Sequence, residues 1–339
     1  MTSLASRYLG LPLQHPIIAS ASALTATFDG MRRLEDAGAA AVVMASLYEE
    51  QVRAADAAYA AFTEETAGMH PEAATYFPEL PGYRHGVAGH VETLWRASQS
   101  LRIPVIASLN CFSDEGWLDY AVELQQAGAA ALELNLYHLP TDLAVSGRDV
   151  EERYLDIVRR VRARVGIPLA VKLLPFFSAL GNFVQELQSS GVDGVVLFNR
   201  YIRADFDLDT LSVKIEALLS RTTDIALPLT WTALLSRRVK LSLAAGTGVD
   251  THVEVVKLLL AGADVVSTAS ALLRHGPEHM TALVAGLKRW LEDNAFASVD
   301  EIRGRLDATQ LGQADMFFRS EYLHTLTDFV AERSAALAH

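Results

Sequence analysis

Ala127-Gly128-Ala129-Ala130-Ala131-Leu132-Glu133-Leu134-Asn135 reads as a helix end, a tight turn and a short strand. Glycine after a helix adopts the left-handed conformation that closes the last turn. The same device recurs at Ala37-Gly38-Ala39 before Ala41–Met44, and at Ser190-Gly191-Val192 before Gly194–Leu197. It returns at Ala261-Gly262-Ala263 before Val265–Ser267. Two further junctions use Ile-Pro, at Ile103-Pro104 before Val105–Ser108 and Ile167-Pro168 before Leu169–Lys172. Proline suits the first residue of a strand, where no ladder donor is needed. Pro16–Ala19 and Val239–Ala244 complete a set of eight short apolar strands. Helical patterns lie between them, at Gly116–Gln126, Asp149–Val165 and Thr251–Leu260, the last opened by the capping-box spacing Thr251/Glu254. Short apolar strands alternating with helices specify a parallel sheet with helices outside. Eight units favour closure into an α/β (β/α)8 TIM barrel over an open doubly wound sheet, and no Gly-x-Gly-x-x-Gly follows a strand.

Two connections, Leu47–Leu101 and Arg200–Arg238, are extended βα loops of the kind that cover active sites. The expected division is a barrel over residues 1–305 and a C-terminal helical extension over 306–339. Amphipathic helices are expected at Val299–Leu306 and Arg319–Ala336, with Trp290, Phe317, Phe318 and Phe329 as packing residues.

Of the 339 residues, 50% are hydrophobic, and the net charge is -12. An acidic surface repels nucleic acid and anionic membranes. The single cysteine, Cys111, cannot form an internal disulfide or build a cysteine-ligated cluster, so no metal site is expected. The first residues lack a signal-peptide pattern and no long apolar run occurs, so the expected location is cytoplasmic.

Side chains alternate along strands. Leucines 132, 134 and 136 take one face of the fourth strand, which leaves Glu133 and Asn135 on the other, facing the barrel. By the same rule Lys172 points inward from the fifth strand. Asn199 ends the sixth, on the parity of Val195 and Leu197. Asn135, Lys172 and Asn199 therefore converge at the carboxyl-terminal mouth, where barrel active sites are built. Ala245-Gly246-Thr247-Gly248-Val249 after the seventh strand and Thr268-Ala269-Ser270-Ala271 after the eighth have the small residues that let backbone amides approach a phosphate.

These pieces resemble, in order, the class 1 dihydroorotate dehydrogenases. His15–Ser22 resembles the family's opening "N-P-[apolar]2-x-A-S-G". Glu133-Leu134-Asn135-Leu136 matches the first half of "E-L-N-L-S-C-P-N". Val171–Pro175 resembles "V-K-L-x-P", and Gly194–Arg200 its "G-[apolar]-N-[ST]" strand. Ala261–Pro277 resembles the phosphate end of the cofactor site. The resemblance spans about residues 4–305. It implies FMN held by Ala21, Ser46, Asn135, Lys172, Phe198, Thr247, Gly248, Ala269 and Ser270, with Lys172 beside the flavin N1 and O2. It implies substrate contacts from Asn135 and Asn199, and a homodimer.

The sequence departs from the family at the chemistry. Tyr137-His138-Leu139-Pro140-Thr141 stands where the family's catalytic cysteine or serine would be, and Ala45 replaces its second-strand lysine. The asparagine of "C-P-N" is Thr141, and Tyr76–Gly86 lacks the Asn-rich substrate segment. His138 is then the candidate base, ahead of Tyr137 and Cys111. Arg200 is the candidate cation for a substrate carboxylate, ahead of Arg53 and Arg84. The expected activity is an FMN-dependent oxidoreductase acting on a CH-CH group of a small substrate, as in pyrimidine biosynthesis, with an external electron acceptor. Two other readings compete. One is a flavin-free phosphate-binding lyase or aldolase using Lys172 as a Schiff-base amine. The other is a non-catalytic barrel subunit.

Overall fold

In a computed structural model, which describes residues 2–51, 87–110, 118–201, 203–216, 219–311, 319–321 and 323, the chain opens with a hairpin. Strands β1 (Ser6–Tyr8) and β2 (Leu11–Leu13) pair antiparallel across Leu9 and Gly10. Both turn residues have positive φ, 52° and 78°. This is the two-residue turn whose twist matches that of a hairpin. Leu9 is held there by burial of its side chain and by its amide, which donates to Ser242 Oγ at 3.1 Å.

Eight parallel strands follow. They are β3 (Ile17–Ala19), β4 (Val42–Val43), β6 (Val105–Asn110), β7 (Ala131–Leu136), β8 (Leu169–Leu173), β9 (Gly194–Leu197), β12 (Ser242–Gly246) and β13 (Val265–Thr268). β5 (Leu47–Tyr48) pairs with the end of β6. Each strand pairs with its neighbour in that order, and β13 pairs back to β3, so the sheet closes. The barrel, not the open sheet, is the fold.

Two separate cores confirm the reading of the strand faces. Leu132, Leu134, Leu136, Leu169, Val171 and Leu173 pack against the helices. Ile18, Val43, Ile106, Ala131, Ala170, Val196, Ala244 and Val265 fill the interior together with Tyr8, Leu9 and Leu13 of the hairpin. The hairpin thus plugs the amino-terminal end of the barrel and leaves the other end open.

The helices include α1 (Phe28–Asp36), α2 (Val87–Ser100), α3 (Leu118–Gln126), α4 (Gly147–Arg164), α5 (Leu180–Ser189), α6 (Ala226–Leu235), α7 (His252–Ala261), α8 (Ser270–His275), α9 (His279–Asp293) and α10 (Val299–Ile302). The expected capping box forms: Thr251 Oγ1 accepts from the Val253 amide, and Glu254 Oε2 accepts from the Thr251 amide at 2.8 Å. Gly262 ends α7 at φ 114°, where a Cβ would come within 2.1 Å of Ser236 Oγ. The long insertion after β9 folds into a second antiparallel hairpin, β10 (Arg203–Asp207) and β11 (Ser212–Glu216), followed by α6.

Three expectations need adjustment. The seventh strand begins at Ser242, not Val239, because the helix ends at Leu235 and the amides of Arg238 and Val239 both bond to Leu235 O, which holds residues 236–239 in a turn. The helix expected at Val299–Leu306 stops at Ile302, where Arg303 turns to extended backbone and Gly304 takes φ 69°. Of the helix expected at Arg319–Ala336, all but residues 319–321 and 323 lie outside the described residues, as do Phe317, Phe318 and Phe329. Trp290 stacks on Phe296 with ring centroids 5.8 Å apart. Among the described residues no helix is long and apolar enough to cross a membrane.

His15 joins β3 to α1. Its Nδ1 accepts the Ile17 amide at 3.2 Å, and its Nε2 lies 2.6 Å from Gly38 O, an arrangement that requires the neutral Nε2–H tautomer. Burial lowers its pKa, opposed in part by the Gly38 carbonyl. Burial pushes His90, on α2, down to about 4. Both histidines bind a proton less readily folded than unfolded, so their contribution is fully present above about pH 6.5 and is lost as pH falls below it, for His90 through about 4. For His90 the loss reaches roughly 3 kcal/mol below that window. Urea unfolding at pH 7.5 and 4.5 should therefore show a smaller pH-dependent fall in stability for His90→Gln than for the parent.

Candidate active site

Ladder register sets the mouth of the barrel. Asn110 on β6, Asn135 on β7 and Lys172 on β8 stand side by side, and Ser108, Glu133 and Ala170 form the layer beneath. Asn135 and Lys172 are 4% and 8% exposed. An ammonium in so dry a place needs a partner. Lys172 Nζ lies 3.6 Å from Glu133 Oε1 and donates to Ser20 Oγ at 3.4 Å. The carboxylate contact is too long for a hydrogen bond, and Glu133 Oε1 has no such partner among the described residues, so the attraction is Coulombic. Sequence reading put Glu133 on the inner face but did not pair it with Lys172; the two-residue offset between adjacent strands was the available signal.

Asn199 reaches the mouth by a different route from the one its parity suggests. Val195 and Leu197 face the helices, so strict alternation would carry Asn199 outward. The strand ends at Leu197 instead, and the chain turns so that Asn199 Nδ2 donates to Asn135 Oδ1 at 2.7 Å. The Asn199 amide still bonds to Leu173 O at 2.7 Å, and Asn199 Oδ1 accepts from the Arg200 amide.

A cavity of about 320 Å³ opens beside these residues. Lys172, Asn199, Arg200, Ser20, Ala21 and Phe198 line it, together with Thr247, Gly248, Ala269, Ser270 and Ser220. Thr247 and Gly248 both take positive φ, 72° and 82°. Thr247 Oγ1 anchors its loop by donating to Phe198 O at 3.0 Å. A Cβ on Gly246 would meet Ser267 Oγ at 2.4 Å, and one on Gly248 would meet Ile225 N at 2.5 Å. Gly246 and Gly248 are therefore required by the close approach of Ser267 and of the segment 221–225, whereas the sequence reading assigned the small residues to the approach of a phosphate.

Of the positions expected to hold a cofactor, Ala21, Lys172, Phe198, Thr247, Gly248, Ala269 and Ser270 share this one cavity. Asn135 and Ser46 do not line it. Asn135 meets it through Asn199, and Ser46 shares a 2.8 Å hydroxyl contact with Ser108 on β6. Ala45 has no charge to offer, and its amide donates to Thr25 O. His138 follows the end of β7, outside the lining set, and its carbonyl accepts from Tyr154 Oη at 3.3 Å. Burial, and secondarily the Arg153 charge, lowers the His138 pKa below its usual value. Cys111, Arg53, Arg84 and Tyr76–Gly86 lie outside the described residues. No group of three or more His, Cys, Asp or Glu side chains among the described residues could hold a metal. Ser20, Asn110, Ser108 and Ser220, all part of the mouth or cavity, were not singled out from the sequence; serine and asparagine carry too little local pattern.

Fold and cavity together define a (β/α)8 barrel with a polar site at its carboxyl-terminal mouth. Sequence comparison narrows the class, although no family model matches the chain. The chain is 28% identical, over 66% of its length and 73% of the relative, to a provisionally named dihydroorotate dehydrogenase A (fumarate) of Aeropyrum pernix. It is 24% identical, over 66% of its length and 73% of the relative, to the dihydroorotate dehydrogenase B (NAD(+)) catalytic subunit of Endomicrobium trichonymphae. With the corresponding subunit of Thermoplasma volcanium it is 21% identical over 90% of its length and 98% of the relative. The chain is thus similar to dihydroorotate dehydrogenases, at low identity over much of its length.

Truncating Lys172 leaves Glu133 buried without a counter-charge, which typically costs about 3–5 kcal/mol. Lys172→Met should destabilise the protein on that scale, and Lys172→Met with Glu133→Leu should cost less than the sum of the single changes. Urea denaturation of the four proteins measures the coupling; additive losses would show that the pair does not interact.

Proposed function

We propose that the protein is an FMN-dependent oxidoreductase that oxidises a small CH-CH substrate other than dihydroorotate. One observation carries the reading. A single cavity is lined both by a buried lysine and by small residues whose backbone is left-handed at Thr247 and Gly248. That combination suits a flavin mononucleotide, with ring at the lysine and phosphate at the small residues. FMN, when bound, supplies a two-electron acceptor.

The chain's own groups then have definable tasks. Lys172 presents a fixed cation where negative charge grows on reduction, which is electrostatic stabilisation by a preorganised group. Asn135 and Asn199, already bonded to each other, orient the substrate. Arg200 offers the cation for a carboxylate that Ala45 cannot supply. His138 takes the proton from substrate carbon. The protein acts as a homodimer in the cytoplasm and passes electrons to an external acceptor.

Purified protein, or protein incubated with FMN, should be yellow with one flavin per chain. A preparation that stays colourless after FMN is added refutes the reading. Dihydroorotate should bleach the flavin slowly or not at all in anaerobic mixing. The missing second-strand cation removes about 1.5–3 kcal/mol of binding, and the changed base position costs roughly another 10²–10⁴ in rate.

The His138 assignment predicts a pH limb. Only the neutral imidazole accepts a proton, and its pKa is lowered, so reduction by the true substrate should rise with pH through a midpoint below about 6.5. His138→Asn should retain FMN, slow reduction and lose that limb. An unchanged profile in stopped-flow across pH would pass the role to Tyr137 or Cys111.

A further inference from the structure

Pro175-Phe176-Phe177 follows the lysine strand, and its two aromatic rings diverge. The Phe177 amide donates to Pro175 O at 3.2 Å, which puts Phe176 at the apex of a γ-turn. Phe177 packs down, stacked on Phe183 with centroids 4.6 Å apart and edge-on to Tyr154 at 6.4 Å. Phe176 is left 60% exposed, in a T-shaped pair with Tyr201 at 4.9 Å and 82°. Tyr201, 38% exposed, lines the cavity directly after Asn199 and Arg200. Core packing therefore accounts for Phe177, but not for Phe176 or Tyr201. The family strands quoted for the resemblance end at Pro175 and at Arg200, so neither ring belongs to that pattern.

The polar groups beside the pair are one-sided. Among the described residues that line the cavity, Lys172 and Arg200 are cations and none is Asp or Glu. Asn135 Oδ1 already accepts from Asn199 Nδ2, and Asn199 Oδ1 accepts from the Arg200 amide. The cations and amides here thus present mainly donors. They suit a ligand that brings oxygen acceptors and negative charge, and they disfavour a ring that carries N–H groups. The aromatic pair adds an apolar surface with open π faces, against which another ring packs edge-to-face or offset.

We propose that Phe176 and Tyr201 determine substrate class: the substrate is a carboxylate on an apolar, partly saturated ring. Its charge meets Arg200 and its ring packs on the aromatic pair. The inference rests on the oxidoreductase reading and names the substrate of that same site.

The test is calorimetric titration of the full chain, loaded with FMN, using benzoate, acetate and orotate as probes. Burial of the ring predicts that the parent binds benzoate roughly 10- to 100-fold more tightly than acetate. Benzoate should also bind more tightly than orotate, whose ring carries N–H groups. Phe176→Ala and Tyr201→Ala should each weaken benzoate about 3- to 10-fold. Acetate affinity, FMN affinity and melting temperature should not change, because both side chains are exposed and outside the core. Tyr201→Phe keeps the ring and should keep benzoate binding. Benzoate no tighter than acetate, orotate tighter than benzoate, or equal losses of benzoate and acetate in the alanine variants would overturn the assignment. Loss of FMN from those variants would overturn it too, because the rings would then serve the flavin. If the parent takes up no FMN, the flavin reading fails separately, and the same titrations on the flavin-free protein decide the pair. A benzoate preference that Phe176→Ala removes keeps the assignment; no preference in the parent removes it.

Discussion

A charged lysine held almost dry at the mouth of a closed barrel is the constraint on which the site depends. Little of Lys172 reaches solvent, and the barrel supplies a negative group in its interior, Glu133, 3.6 Å from the ammonium. The carboxylate in turn sits above the plug: Tyr8 of the first hairpin has its pKa raised by burial and, secondarily, by the Glu133 charge. Plug, carboxylate, ammonium and cavity form one column along the barrel axis. Any change in one of these layers is felt by the next, because side chains in a barrel interior have no lateral freedom.

This column separates two tasks by height. Below Ser108 and Glu133, Ile106 and Ala131 are apolar, and they share the closed interior with Leu9 and Tyr8. The upper layers carry Ser108, Glu133, Asn110, Asn135 and Lys172, all delivered by three adjacent strands in register. The small residues of the cavity come from the opposite side of the ring, from the loops after β12 and β13. A cavity that joins the two sides needs both halves of the barrel, which makes closure itself a condition for the site.

The positions where the chain departs from the dihydroorotate dehydrogenase pattern, Ala45 and Tyr137–Thr141, do not line the cavity, whereas Lys172 and the loops after β12 and β13, which keep the pattern, do. Cofactor-side and substrate-side residues are carried by different strand ends, so one set can change without disturbing the other. His138, with its pKa lowered by burial, and the Asn135–Asn199 pair are what the chain places on the altered side.

The strands, most of the helices and the inward direction of Asn135 and Lys172 were legible in the sequence. Each depends on local information: glycine or proline at a junction, alternation along a strand, a capping pair such as Thr251 and Glu254. That residues 245–249 form a turn needing glycine was legible for the same reason, since only glycine fits at Gly246 and Gly248. Tertiary structure decided the rest. Leu9-Gly10 carries no ordinary hairpin signature, and its turn is held by burial under the barrel. Asn199 violates strand parity and is fixed by a partner 64 positions away in sequence. The Glu133–Lys172 pair arises from strand register, and Ser220 reaches the cavity from a long insertion. Contacts between residues far apart in sequence leave no periodic trace along the chain, because they are chosen by how the barrel closes rather than by what precedes or follows each residue.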